Sequence, residues 1–213
     1  MNQQLTERQK KALLTKQNLY ITALNLFTKH GFEHVSVEQI TKACGVSKGT
    51  FYTHFQSKYA IILEKFEEMD NYYIEIEKNI PNHLDAVGKI LFVFREQMIY
   101  LQNQVGKDIL RTVYTAAMTK EVEKDHFLIN PKRKIFQMLH QFVTEGINQH
   151  EFKPDVTFEV ATKYVERCMR ANVYDWLIHD ESFDLVEEMV GFTSCMLGGL
   201  IVSSVEESGW NEY

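Results

Sequence analysis

Apolar residues in this chain recur at spacings of three and four, as on one face of an α-helix, with no convincing strand-like alternation. The first helix is expected from about Thr6 to Lys29, with Tyr20, Ala23, Leu24 and Phe27 as its inward stripe and Gly31 closing it. Two short helices follow within residues 36–55. A longer one opens at Ser57 and carries Ile61, Ile62, Lys65, Phe66 and Met69 on nearby faces to about Lys78, where Pro81 stops it. Further helices are expected from about His83 to Gln104 and from Lys107 to Met118. The charged, weakly periodic stretch 119–130 reads as a loop. Asn130-Pro131 is a cap followed by a first-turn proline, predicting a helix to about Gln149. Pro154-Asp155 opens another to about His179, and Asp180 or Ser182 caps a last one to about Ser208. The expected fold is all-α, about nine helices, with no internal repeat.

Residues 36–58 specify their geometry in most detail. Ser36 with Gln39 three residues on fits a capping box, and Val35 with Ile40 fits its hydrophobic staple. Ile40 and Ala43 are expected on the inner face, with Cys44 as a small apolar filler, and Gly45 supplies a left-handed turn. Ser47 caps the next helix, where Phe51 and Phe55, four apart, point inward together. Lys48, Gly49, Thr50, Tyr52, Thr53 and His54 then face outward, without a carboxylate among them. Ser57 caps a third helix, with Lys58 in its first turn. A helix–turn–helix can be a plain packing unit, but an outward face free of acid favours phosphate.

The charge distribution points the same way. The chain has a formal net charge of −6, yet residues 1–58 hold eight Lys or Arg against three Glu, a balance of +5, leaving −11 on residues 59–213. A basic first quarter on an acidic remainder is the footprint of phosphate binding confined to one end.

The run from Val35 to Phe55, followed by Ser57-Lys58, resembles the signature of the tetracycline-repressor (TetR) family. Gly45-Val46-Ser47, Gly49-Thr50, Phe51-Tyr52, His54-Phe55 and Lys58 all fall at that family's spacing. The resemblance covers the N-terminal quarter in detail. It implies a DNA-binding helix–turn–helix domain over 1–58, a helical effector-binding and dimerisation domain over 59–213, and a ligand-responsive homodimeric regulator, usually a repressor, on double-stranded DNA. Lys48 is the expected donor to guanine or a nearby phosphate, and Thr50 offers a methyl to thymine and a hydroxyl to a base edge. Ser47, Tyr52, His54 and Lys58 are placed for phosphates, and Ser36 and Gly49 complete the DNA-facing set. Glu38 departs from this pattern: it would repel phosphate if it pointed outward, or else complement the helix dipole.

The acidic remainder raises the question of control. Met189 to Val202 is apolar almost all round, so both faces need cover, and Gly191, Cys195 and Gly199 recur every fourth residue as a smooth strip for a second helix. A two-fold seam built from the last two helices is expected there; it would set two reading helices roughly 34–36 Å apart on a near-palindrome. A small-molecule effector of unknown identity needs an apolar cavity with a few polar groups. Arg95, Arg111, His140 and Arg170 interrupt apolar surroundings, and Tyr100, Tyr114, Phe136, Tyr164 and Tyr174 supply large side chains that could equally be core. An effector would displace the 57–78 helix as a lever; a tenfold change in DNA affinity needs about 1.4 kcal/mol of coupling.

Composition excludes other classes. The three cysteines, Cys44, Cys168 and Cys195, are far apart and form no Cys-x-x-Cys or Cys/His cluster, so no disulfide framework, metal site or cofactor is expected. The polar start from Met1 to Lys11 lacks a signal-peptide core, and the 189–202 run is too short and broken for a membrane span, so a cytoplasmic, membrane-free protein is expected. No nucleophile elbow, phosphate loop or metalloprotease motif is present, and no enzyme is expected. The alternative is a DNA-bound scaffold whose C-terminal domain binds a protein partner.

Overall fold

The computed structural model describes residues 6–119, 127–179 and 183–202. Among them are nine α-helices: α1 (Glu7–His30), α2 (Val37–Cys44), α3 (Lys48–His54), α4 (Lys58–Lys78), α5 (Ala86–Tyr100), α6 (Lys107–Thr119), α7 (Lys134–Asn148), α8 (Phe158–Ile178) and α9 (Leu185–Gly198). A π-helical segment, Leu101–Val105, follows α5, and Gly106 (φ +81°) ends it in the left-handed region that glycine adopts freely. The chain divides into two compact units, Met1–Glu68 with Val105–Glu121, and Met69–Gln104 with Val122–Tyr213. By sequence, α6 therefore goes with the first unit, and α4 contributes to both.

In the first unit α1 packs on α2, α3 and α6. Tyr20, Ala23 and Phe27 are buried as their spacing predicts, Leu19 joins them, and Leu24 is only half-buried. On α2 the inner positions are Ile40 and Thr41, whereas Ala43 is exposed; the helix is rotated so that Thr41 Oγ1 turns back to the Glu38 carbonyl at 3.1 Å. Ser57 Oγ accepts the Ala60 N–H at 3.2 Å at the start of α4. Beside it, Lys58 Nζ donates to the carbonyls of Phe32 (2.7 Å) and Val35 (3.1 Å) and lies 4.2 Å from the centroid of the Phe32 ring. One ammonium thus ties the α1–α2 loop to the first turn of α4.

In the second unit α9 packs on α5 and α8, and α7 packs on the same two helices. The inner face of α9 is Leu185, Met189, Thr193 and Leu197, all buried. Several expected helix starts move inward, those of α5 and α8 to a better cap. Asp85 accepts the Gly88 N–H at 2.6 Å and starts α5 after, not before, His83. Asn130 makes a local turn with the Lys132 N–H (2.9 Å) instead of capping α7, which begins at Lys134 behind Arg133. The Arg133 guanidinium is held on both Asp70 carboxylate oxygens, at 2.8–3.2 Å, and on the Phe127 carbonyl at 3.3 Å. Thr157, rather than Pro154-Asp155, caps α8 through the Val160 N–H at 3.3 Å. Asp184 caps α9; Asp180 and Ser182 lie outside the described residues.

The last helix ends at Gly198, short of the expected Ser208, which itself lies outside the described residues. Leu200 and Ile201 both donate to the Leu197 carbonyl, the Lys153 N–H donates to Leu200 O, and Phe152 forms an isolated antiparallel bridge with Ile201. Glu151 in this corner turns its carboxylate onto the Ala86 N–H, at 3.0 and 3.1 Å, at the start of α5. Burial pushes its carboxyl above the usual range despite that bond.

Two substitutions test this packing. A Cβ at Gly146 would sit 2.6 Å from Phe152 Cε2 and 2.9 Å from Ala86 Cβ. Gly146→Ala therefore lowers the unfolding free energy by about 1–3 kcal/mol in urea, overpacking outweighing alanine's better helix propensity. Lys58→Met keeps the stem but strips two carbonyls of their donor, and the midpoint falls by the equivalent of about 1–3 kcal/mol; an unchanged midpoint shows that the tie is idle.

Candidate nucleic-acid interface

The reading segment is assembled by caps at both ends of α2 and at the start of α3. Ser36 Oγ accepts the Gln39 N–H at 3.2 Å while Gln39 Oε1 accepts the Ser36 N–H at 2.7 Å, closing the expected capping box. Gly45 takes the left-handed conformation (φ +68°, ψ 29°) and donates its N–H back to the Thr41 and Lys42 carbonyls. Ser47 Oγ then accepts the Thr50 N–H at 3.1 Å and starts α3. Phe51 and Phe55 are buried, with ring centroids 5.8 Å apart, and so fix which side of α3 faces out.

On that outer side, the structure brings together Ser47, Lys48, Gly49, Tyr52 and Thr53, all exposed, with Thr50 half-buried. The Ser47 and Thr50 hydroxyls are 2.9 Å apart and hydrogen-bonded. Tyr52 stands edge-on against Phe51 at 5.4 Å with 49% of its surface exposed. A Cβ at Gly49 would meet only Ser47 Oγ, at 3.7 Å, so the free fold makes no demand for glycine there. His54, half-buried, is the last residue of α3. An open cleft of about 400 Å³ lies beside this face, lined by Ser36, Tyr52, Ser57 and Lys58 together with Glu33, His34 and Gln56. The last three were not singled out by sequence; they come from loops whose course the helical period does not specify.

Two charged residues are placed differently from expectation. Lys58 is turned onto the Phe32 and Val35 carbonyls rather than standing free at the surface. Glu38, on α2, forms an ion pair with Lys48 on α3. The hydrogen bond from Lys48 holds the Glu38 carboxyl below the usual range, and the same bond raises the Lys48 ammonium.

The residues considered for an effector are divided between the two units. Arg111 and Tyr114 are on α6, in the first unit, and Arg111 lies 3.6 Å from Asp108. In the second unit Arg95 pairs with Glu96 at 3.3 Å, and Tyr100 stacks on Tyr72 at 4.5 Å. Phe136 is core. His140 and Arg170 share the Glu166 carboxylate, at 3.1 and 3.4 Å. Tyr164 has the Lys163 ammonium 5.6 Å from its ring, and Tyr174 is exposed.

Sequence reasoning passed over Tyr73 and Gln97, which follow the polar residues Asp70, Asn71, Arg95 and Glu96 and so give no local sign of burial. Tyr73 is fully buried, and neither its hydroxyl nor Gln97 Oε1 forms a hydrogen bond of ordinary geometry, although the Gln97 amide is close enough to act on the phenol. The Gln97 amide nitrogen donates to Met169 Sδ, at 3.3 Å. On α9, Gly191, Phe192 and Cys195 are exposed, and a Cβ at Gly191 would meet nothing within 4 Å. Gly199 follows the helix end, where its carbonyl accepts Lys153 Nζ at 2.7 Å. No described helix is long and apolar enough to cross a membrane.

Comparison with known proteins bears directly on this geometry. Residues 19–64, which contain all of α2 and α3, match the family of bacterial regulatory proteins, tetR family. The fatty acid metabolism regulator protein of Bacillus subtilis (strain 168) is 24% identical over 172 residues, covering 77% of this chain and 84% of that protein. The fold is shared with the transcriptional regulator FadR from Bacillus subtilis in complex with stearoyl-CoA (TM-score 0.68, 22% identity, 86% of this chain and 98% of that one). It is shared as well with Thermus thermophilus FadR in complex with lauroyl-CoA (TM-score 0.64, 18% identity, 91% of this chain and 99% of that one). With the acid-free outward face of α3 inside the matched segment, residues 19–64 are a segment of the tetR family of bacterial regulatory proteins, on a chain similar over most of its length to DNA-binding transcriptional regulators.

Proposed function

We propose that the protein is a homodimeric repressor that holds a near-palindromic operator through α3 and releases it when a small molecule enters the second unit. The observation that carries the DNA half is the outward face of α3, where Lys48, Gly49, Thr50 and Tyr52 stand on a base fixed by buried Phe51 and Phe55. Lys48 and Thr50 address base edges, and Ser36, Ser47, Tyr52 and His54 address phosphates. Lys58 serves this face from behind, by fixing the loop that carries Ser36. The domain division is drawn accordingly, with residues 1–58 for DNA and 59–213 for effector and partner subunit, and α4 as the element that communicates between them.

The dimer reading is supported by α9. Its inner face is spent on the core, while Gly191, Phe192 and Cys195 leave an apolar outer strip uncovered. A second copy related by a two-fold axis covers such a strip with itself.

The effector reading is supported by Tyr73 and Gln97. A buried polar atom without a partner is destabilising by about 1–3 kcal/mol, a burden that a ligand can lift. The charged groups nearby, Arg133 and Asp70, already satisfy each other, so the surroundings suit an uncharged hydrogen-bonding centre on an apolar body. A long-chain acyl thioester has that chemistry, and stearoyl-CoA and lauroyl-CoA occupy two proteins of this fold. The protein-scaffold alternative has no comparable observation behind it.

Two measurements test the proposal. Duplexes selected from random DNA by the wild-type protein are expected to share a two-fold sequence. The Lys48→Ala, Tyr52→Ala double variant binds them on the order of a hundredfold more weakly, two contacts at about 1–3 kcal/mol each, while sedimenting as the same dimer. Retained binding sinks the contact assignment. For the effector, stearoyl-CoA titrated into the complex releases the wild-type protein. Gln97→Met removes the unsatisfied amide, so it raises the melting temperature yet needs roughly tenfold more stearoyl-CoA, equivalent to about 1.4 kcal/mol. Release at the same concentration by wild type and variant removes Gln97 from the site, and no release at any concentration removes the acyl thioester.

A further inference from the structure

The ion pair between Glu38 and Lys48 links α2 to α3 on the side that carries the reading residues. Glu38 is the one carboxylate on these two helices, and it is engaged by the one lysine of α3. Both side chains are more than half exposed, so burial does not force them together. The pair bridges the Gly45 turn, and that turn is fixed by its left-handed glycine and the Ser47 cap. The carboxylate therefore stays within reach of Lys48 as the helices approach a duplex.

Resting on the DNA-binding reading above, we propose that Glu38 is a specificity-determining residue. Together Glu38 and Lys48 read one G·C base pair in the major groove, Lys48 donating to guanine and Glu38 accepting from the cytosine amino group. The chemistry follows from what each surface offers. A bare lysine gains most from phosphate, which is present at every step of any sequence. A carboxylate beside that lysine repels phosphate and is satisfied on DNA only by an amino group. Guanine O6 and N7 offer two acceptors to the ammonium, and its paired cytosine places N4–H₂ beside them, so one base pair satisfies both halves of the ion pair. Adenine paired with thymine also carries an amino group, but it leaves the ammonium a less favourable set of acceptors. At non-cognate sites the two side chains keep each other, and Lys48 adds little to sequence-independent binding.

The test compares wild type, Glu38→Ala and Glu38→Gln in selection from random duplexes and in salt titrations on one selected and one scrambled duplex. Glu38→Ala is expected to bind the scrambled duplex about tenfold more tightly at low salt. Its log–log salt slope should steepen by about 0.9, one added phosphate contact. Its selected sites should lose a G·C preference at one pair of symmetry-related positions. Glu38→Gln retains the shape without the charge and should shift that position towards adenine, which glutamine reads bidentately. In the Lys48→Ala background, Glu38→Ala should no longer change the salt slope. Because Ser36 and Gln39 carry the helix start, the helical signal and melting temperature should stay close to wild type. If wild type selects a site and Glu38→Ala shows the same base preference and salt slope, the proposal is overturned while the DNA-binding reading stands. If wild type selects no site, both are overturned.

Discussion

A helix of seven residues does not persist in water by itself, because its few backbone bonds do not repay the nucleation of its first turn. Everything that α3 presents therefore depends on the burial of Phe51 and Phe55 against the rest of the first unit. Four apart on one face, these rings set the rotation of the helix, and the rotation sets which residues look outward. The Gly45 turn sets the remaining variable, the angle between α2 and α3, and Ser47 fixes where the second helix starts. Lys48, Gly49, Thr50 and Tyr52 stand outside the buried core once these constraints hold, and the Lys48 and Thr50 side chains engage the exposed Glu38 and Ser47. Gly49 is the clearest instance: in a helix it is unfavourable by up to about 1 kcal/mol relative to alanine, and the free fold gives it nothing in return.

The second unit solves a different problem, that of placing polar groups in an apolar interior. Arg133 and Asp70 do so by a multiply hydrogen-bonded pair, and Glu151 does so by capping the first N–H of α5. Each of these charges has its partner, so each stabilises a particular packing: Asp70 on α4 against the entry to α7, and Glu151 against α5. The Tyr73 hydroxyl and Gln97 Oε1 stand apart as buried atoms without a hydrogen bond of ordinary geometry. A leucine or methionine at position 97 would pack without the loss of an unmet acceptor.

What could be read from the sequence divides along the same physical line. Local signals were legible, because a cap or a left-handed glycine acts within four residues: Ser36 with Gln39, Gly45, Ser47, and the inward pair Phe51 and Phe55 all stand where the pattern puts them. Local signals also compete, which is why Asn130 and Pro154 misled. Each suits a helix start, and each is used in a turn instead, with the true starts set by Arg133 being drawn to Asp70 and by Thr157. Contacts that cross the chain were not legible. The partner of Lys58 is 26 residues away, that of Arg133 is 63 away, and Glu38 meets Lys48 only because a turn brings them round. The cationic residues considered for an effector shared this difficulty. Periodicity shows that His140 and Arg170 interrupt an apolar face, and only the fold shows that one carboxylate, Glu166, already engages both.

The two functions call for opposite energetics, and the two units differ accordingly. Reading DNA requires groups that change partners easily, since a protein must sample and leave many wrong sites before it meets the right one. The outward pairs are of that kind: Lys48 with Glu38, and Ser47 with Thr50, are exposed, solvated and readily exchanged. A ligand that acts on an equilibrium must instead favour one state strongly, since its effect is limited to the difference in its affinity for the two. At the proposed effector site the buried Gln97 acceptor would supply such a difference, because a ligand that satisfies it gains what the unliganded state lacks. Under the proposed function, solvated reading groups on α3 and the unmet Gln97 acceptor in the core are thus complementary: one would keep DNA binding reversible, and the other would give a small molecule the leverage to reverse it.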